Sequence, residues 1–230
     1  MHELVCGAGS EVKLRGTIGA ALRACVGAER GGFVSLLPIF PLDVVLFPGV
    51  PLPLHIFEPR YKEMIGECLE EQKPFGIVRM EDEGVAQIGC TAEIVAVTKK
   101  HEDGKLDIVT EGRARFELLE LNQERAFLRG EVLYVPDEPG TPTDAEVERA
   151  VELHEEILRL AGAQQSLDED SETPLSYQMA GSLPLDTDFK QTLLAMRAES
   201  ERIQAIIQYF ETVRRAVRVR QKASGNGHAH

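Results

Sequence analysis

Tryptophan is absent from the 230 residues, and aromatic side chains make up only 6 % of them. A surface that stacks nucleic-acid bases is therefore a poor expectation. Positive charge is scarce as well: 25 Lys and Arg stand against 38 Asp and Glu, for a formal net charge of -13. Such a field repels phosphate backbones and anionic membrane surfaces alike. Cysteine is sparse. Cys6, Cys25, Cys68 and Cys90 are the only four, and none stands in a C-x-x-C pair. The zinc signatures are thus missing, and the thiols read as reduced ones in a cytoplasmic protein. Cys68 and Cys90 are expected as small apolar core residues. No apolar run nears the roughly 20 residues that span a bilayer. No G-x-x-x-x-G-K-[ST] loop is present to cradle phosphates. Ser10-Glu11-Val12-Lys13 matches S-x-x-K, but its partner motifs S-D-N and K-T-G do not occur, so it reads as coincidence.

What is present is the make-up of a globular protein, 43 % hydrophobic and 27 % charged, long enough for one domain or two small ones. Residues 1–33 stand apart. They carry Gly, Ala and isolated charges, without the continuous apolar stretch of a secretory signal. Two readings fit: an over-extended gene start with Val34 at the true initiation codon, or a short flexible arm. Residues 34–136 read as a β subdomain. Leu36–Phe40, Val44–Phe47 and Leu52–Phe57 are extended pieces, kept out of helix by Pro38, Pro41, Pro48, Pro51 and Pro53. One helix interrupts, opened by Pro59, with Tyr61, Met64, Ile65, Cys68 and Leu69 on one face. Further strands are expected at 75–78, 90–99 and 106 onward. Gly112 is expected to break that last run, with 115–118 and 127–135 as later strands.

A Pro- and Gly-rich linker, 137–142, separates these from a helical subdomain at 143–222. Thr143-Asp144-Ala145-Glu146 is a capping box that opens its first helix. Thr173-Pro174 opens a short helix that Gly181 can close. A long helix starts near Asp186 and carries Phe189, Leu193, Met196, Ile203, Ile207, Phe210 and Val217 at spacings of three, four or seven. Residues 223–230 are expected to form a disordered tail.

The runs Leu37-Pro38-Ile39-Phe40-Pro41-Leu42, Val45-Leu46-Phe47-Pro48-Gly49 and Pro51 through Tyr61 closely resemble the opening of Lon protease N-terminal domains. The resemblance continues through Gly76-Ile77-Val78, the strand at 92–97 and Gly112-Arg113-Ala114-Arg115-Phe116. It extends more weakly to Lys190-Gln191-Thr192-Leu193-Leu194, so that about residues 35–213 are covered. It implies an α+β fold, a PUA-like β pseudo-barrel followed by a small α-helical bundle. In Lon proteases this domain recognises unfolded or damaged proteins, and the ATPase and Ser-Lys peptidase follow it. Nothing in this chain resembles those two segments. The expectation is thus a substrate-binding module that catalyses nothing, an adaptor or holdase in protein quality control. Its partners would be unfolded polypeptides and a separate ATP-dependent protease. The alternative is an RNA-binding PUA-like protein, favoured only by Arg214, Arg215, Arg218, Arg220 and Lys222. Cations at a helix C-terminus also have a plain structural role there.

No cofactor, metal or catalytic residues are expected. His154-Glu155-Glu156-Ile157-Leu158 misses H-E-x-x-H at Leu158, and His154 falls on an apolar stripe, as a packing histidine would. Asp168, Asp170 and Glu172 imitate a calcium loop, but Thr173 stands where Gly is needed and Met179 where a bidentate Glu is. The terminal His228 and His230 have no fixed geometry. Glu58 and Arg60, which flank Pro59, and Arg113 and Arg115, which alternate along a strand, are the candidate peptide-binding residues. The competing reading is that all four lock the barrel through hydrogen bonds.

Overall fold

The structure, a computed structural model, describes residues 34–163, 166–168 and 170–225, with side chains through residue 218. The expectations for residues 1–33, Cys6, Cys25, the Arg220 and Lys222 side chains, and the terminal histidines lie outside that range.

Strand β1 (Val34–Leu42) is followed by β2 (Pro51–Ile56), helix α1 (Pro59–Glu71), β3 (Phe75–Glu81) and the two-residue β4 (Gly84–Val85). Then come β5 (Ile88–Lys100), β6 (Leu106–Asn122) and β7 (Leu128–Tyr134). Pairing runs β1-β7-β6-β5-β3, and β1 pairs back onto β3 in parallel, which closes a five-stranded ring. Closure removes the edges that an open sheet would expose. β2 lies outside the ring, antiparallel to the first half of β6. Helix α1 begins at Pro59, whose missing N–H is no loss at a helix start. Its Tyr61, Met64, Ile65 and Cys68 are buried against the sheet. Cys68 and Cys90 are free buried thiols, with burial pushing their pKa values up to about 11 and about 12.

Four helices follow: α2 (Asp144–Ala161), α3 (Leu175–Ser182), α4 (Thr187–Ala195) and α5 (Glu199–Gly225). The capping box of α2 forms as its sequence expects: the Thr143 hydroxyl accepts from Glu146 N, and the Glu146 carboxylate accepts from Thr143 N at 2.8 Å. The fold is α+β, with one main core shared by both kinds of element. Phe47, Ile56 and Phe75 from the strand half pack in the same cluster as Tyr177, Leu193 and Phe210 from the helices.

Five local expectations are corrected. Val44–Phe47 is not a strand; Leu46 and Phe47 turn inward, and Pro48 touches Gly112 through a single parallel bridge. Gly112 does not break a strand, because β6 runs through it. A Cβ there would stand 2.1 Å from the Phe47 carbonyl oxygen, so glycine serves a close backbone approach. Gly181 lies inside α3, which ends one residue later with Leu183 as its extended C-cap. The single long helix from Asp186 is two helices, because Met196 adopts an extended backbone (φ -67°, ψ 138°). α5 itself continues to Gly225, past the expected tail boundary at 223.

Candidate functional site

The four candidate residues do not form one constellation. Glu58 sits just before α1 and pairs with Arg60 at 2.8 Å, both on the surface. The Arg60 guanidinium also covers the Tyr61 ring, 4.6 Å from its centroid. Arg113 is exposed and held between Glu93, at 2.7 Å, and Glu111. Arg115 is buried. It bonds the Leu194 carbonyl at 2.9 Å, the Met196 carbonyl at 2.6 Å and the Asp137 carboxylate. Two arginines spaced by two on a strand should share a face. A bulge separates them: Cys90 to Ala92 on β5 faces Arg115 to Gly112 on β6, which gives β6 one residue more. Thr91 fills the irregularity, its hydroxyl accepting from Ala114 N at 3.0 Å.

Arg115 belongs to a polar hub at the junction of strands and helices. Asp137, just past β7, bridges Arg115 and the fully buried Arg202 of α5, the latter at 2.8 Å. Arg202 also reaches Glu199 at 2.8 Å, the Ser176 hydroxyl at 3.1 Å and the Met196 carbonyl at 3.1 Å. Burial opposes its charge, but the Asp137 hydrogen bond, then Tyr177 and Glu199, hold its pKa above the ordinary arginine value. Its guanidinium lies 4.5 Å from the Tyr177 ring centroid. The Tyr177 ring stacks on Phe47 at 5.1 Å, while its buried hydroxyl has no partner among the described residues. Sequence reading gave no weight to Asp137, Glu199 or Arg202. The one available signal was a Glu and an Arg three apart near a helix start, which is common on solvated faces.

The outer surface offers strand edges and single apolar side chains. β2 has no strand on its far side among the described residues, and neither does β5 beyond Glu93. Both edges are guarded. Pro51 and Pro53 cannot donate along β2. β5 gains an extra residue against β6 at two irregularities, between Ile94 and Ala96 and between Val97 and Lys99, and ends in Lys99 and Lys100. Exposed apolar side chains nearby include Phe57 and Val95, with Leu119 and Leu121 at the other end of β6.

The remaining sequence features are structural. His154 is buried on α2, 2.7 Å from the Ser182 hydroxyl and against Phe210. Burial holds its pKa below the ordinary 6.5. The loop with Asp168 and Asp170 is tied to α3 through Gln178, whose side-chain oxygen accepts from Asp168 N at 2.9 Å. Arg214 and Arg218, two of the three basic-cluster side chains described, both reach Glu156.

A model of the ATP-dependent protease La (LON) substrate-binding domain matches residues 36–212. A Lon protease of Parabacteroides distasonis is 31 % identical over 147 residues, which is 60 % of this chain and 18 % of that protein. Lon protease 1 of Hydrogenovibrio crunogenus is 28 % identical over 189 residues, 74 % of this chain and 23 % of that protein. The chain thus spans less than a quarter of either relative. A Lon N-terminal domain protein from Xanthomonas campestris superposes with a TM-score of 0.62 at 24 % identity, covering 76 % of this chain and 98 % of that one. The N-terminal domain of Mycobacterium avium complex Lon protease gives 0.60 at 20 %, with 77 % and 98 % covered. At those identities the likeness shows the fold.

Proposed function

Because the chain belongs to the family of ATP-dependent protease La (Lon) substrate-binding domains, we propose that it is a non-catalytic polypeptide-binding module, an adaptor or holdase in protein quality control. The family match over residues 36–212 is the observation that carries this reading. Its clients are unfolded or damaged polypeptides, and a separate ATP-dependent protease is the partner that would consume them. The free, buried Cys68 and Cys90 agree with a reducing, cytoplasmic setting. No helix among the described residues is long and apolar enough to cross a membrane.

The surface supports contact through side chains more than through strand addition. A client laid along β2 meets prolines at 51 and 53, and one laid along β5 meets bulges and lysines. Phe57, Val95, Leu119 and Leu121 remain as single apolar contacts for a loosely held chain. Ordering a flexible client costs free energy, so affinity is modest, about micromolar, or roughly -8 kcal/mol. The candidate residues divide accordingly. Glu58, Arg60 and Arg113 stand on the surface where a client passes, whereas Arg115 has its hydrogen-bonding capacity engaged inside. The RNA alternative gains nothing from Arg214 and Arg218, whose charges are already shared with Glu156.

The test is fluorescence anisotropy with a labelled unfolded protein and a labelled single-stranded RNA, at low and high salt. The expected outcome is weak polypeptide binding that survives salt, because few counterions are released. RNA binding that collapses with salt, with no response to the unfolded protein, would replace this reading by the RNA one.

A further inference from the structure

We propose that His55, His101 and Asp107 form a binding site for a divalent transition-metal ion, with zinc as the natural occupant. The inference is independent of the polypeptide-binding reading. The three side chains converge on one point of the surface. His55 Nδ1 lies 2.5 Å from one oxygen of Asp107, and His101 Nε2 lies 2.8 Å from the other. All three donor atoms fall within 4.8 Å of one another. The two imidazole rings stand edge to face, with centroids 5.7 Å apart and an interplanar angle of 89°.

The fold brings these residues together with little freedom. His55 on β2 and Asp107 on β6 are direct cross-strand partners. His101 follows β5 at the head of the β5–β6 hairpin. Its backbone N–H donates to the Lys105 carbonyl at 2.9 Å, and its carbonyl accepts from Gly104 N at 3.0 Å. Gly104 takes the left-handed turn that this requires (φ 78°). Thr98 Oγ1 bonds the Asp107 carbonyl at 3.0 Å and braces the same strand pair. Phe57 stacks beside His55 at 5.8 Å and limits its rotation. Two neighbouring lysines are engaged elsewhere: Lys105 pairs with Asp103 at 2.6 Å, and Lys62 bonds the Asp103 carbonyl at 3.0 Å, while Lys99 stands opposite Asp107 in register.

The donor set decides the class of ion. Two imidazole nitrogens and one carboxylate suit zinc and its transition-metal neighbours; calcium and magnesium want oxygen alone. A tetrahedral zinc bound at about 2.0–2.1 Å sets its ligand atoms about 3.3 Å apart. The two direct hydrogen bonds, to the two oxygens of Asp107, are shorter than that and the 4.8 Å envelope is wider, so a bound ion replaces both bonds and shifts the donors by up to about 1.5 Å, within reach of side-chain rotation. Each imidazole must carry its proton on the nitrogen away from Asp107, a tautomer open to both rings. Because His55 is half-exposed, one coordination position stays open to solvent. The ion would then clasp β2 to the β5–β6 hairpin, and mass action makes it a stabiliser of the folded chain.

The experiment is zinc titration of the full chain by calorimetry at neutral pH, with cobalt as a spectroscopic substitute. Melting curves with and without zinc run alongside. Four proteins are compared: wild type, His101→Ala, Asp107→Asn, and a double variant with His228→Ala and His230→Ala. Asp107→Asn keeps the size of the side chain and tests the site independently of any change that His101→Ala makes to the hairpin. The expected result is one zinc per chain, cobalt absorption of tetrahedral type, and a zinc-dependent rise in melting temperature. Both site variants should weaken binding by more than the roughly tenfold that loss of an outer-shell partner costs, and the tail variant should bind as wild type. Binding that vanishes in the tail variant and persists in both site variants overturns the proposal, as does a wild-type chain that takes up no zinc.

Discussion

Gly112 lies where β6 meets the backbone of the 47–50 loop. Its N–H donates to the Val50 carbonyl at 3.1 Å, and its carbonyl accepts from Gly49 N at 2.8 Å. The Phe47 carbonyl presses where a Cβ would be. Gly112→Ala therefore drives a methyl into backbone, which cannot swing aside as a side-chain tip can. The expected loss is about 1–3 kcal/mol or more, read as a lower urea midpoint at unchanged slope. A loss below about 0.5 kcal/mol, the usual scatter of surface changes, would show that the loop at 47–50 yields freely. The sequence marked this glycine as significant but assigned it the wrong job. Breaking a strand and admitting a second backbone look alike in one dimension. The same holds for Arg113 and Arg115. Their spacing puts both on one face, and only the bulge opposite Thr91 sends one outward and one inward. The pairing of His55 with Asp107 in the proposed metal site left no trace, because cross-strand register joins residues 52 apart.

At the scale of elements, local chemistry was legible and tertiary override was not. The Thr143 capping box and the Pro59 helix start hold as written, since each is settled within four residues. The break between α4 and α5 contains neither proline nor glycine. It is held from outside: Arg115 takes the Leu194 and Met196 carbonyls freed by the break, and Arg202 takes Met196 again. An apolar pattern that continues through the break conceals it. Helix α2 offers a test of packing by pH. His154 faces Ser182 and Phe210 inside the bundle, and burial lowers its pKa, with Glu155 opposing weakly. Since the folded value lies below the unfolded one, the stability tied to the neutral ring is complete above the ordinary 6.5. It drains away as pH falls from there through the folded value, because the unfolded chain takes up a proton that the folded chain refuses. Melting temperature should thus drop between about pH 7.5 and about pH 5.5 more steeply in wild type than in His154→Gln. Parallel slopes for the two proteins would mean that His154 titrates in the fold as it does in the open chain.

At the scale of the whole molecule, the change from strands to helices near residue 136 does not divide the core. Phe47 stacks on Tyr177, Gln191 Nε2 bonds the Ile88 carbonyl at 2.9 Å, and Asp137 joins an arginine from each side. Sequence composition showed where the element type changes, and it had no means of showing that one set of buried contacts crosses the change. The consequence is testable by truncation. A fragment of residues 34–136 keeps every ring strand but loses Asp137 and the two carbonyls that Arg115 bonds. Arg115 loses those partners to water, which rehydrates its charge, so the cost falls on the apolar side chains. Uncovering Phe47, which stacks on Tyr177, and the apolar side chains beside it costs roughly 1.5–3 kcal/mol for each large one returned to water. Together these approach the whole stability of an ordinary domain, about 5–15 kcal/mol. The fragment should therefore bind a hydrophobic dye and melt without a sharp transition, while residues 34–225 unfold in one step by near-UV and far-UV probes alike. A fragment with a cooperative melt of its own would mean that the strand ring is an independent unit, and that the arginine hub merely docks the helices onto a finished fold.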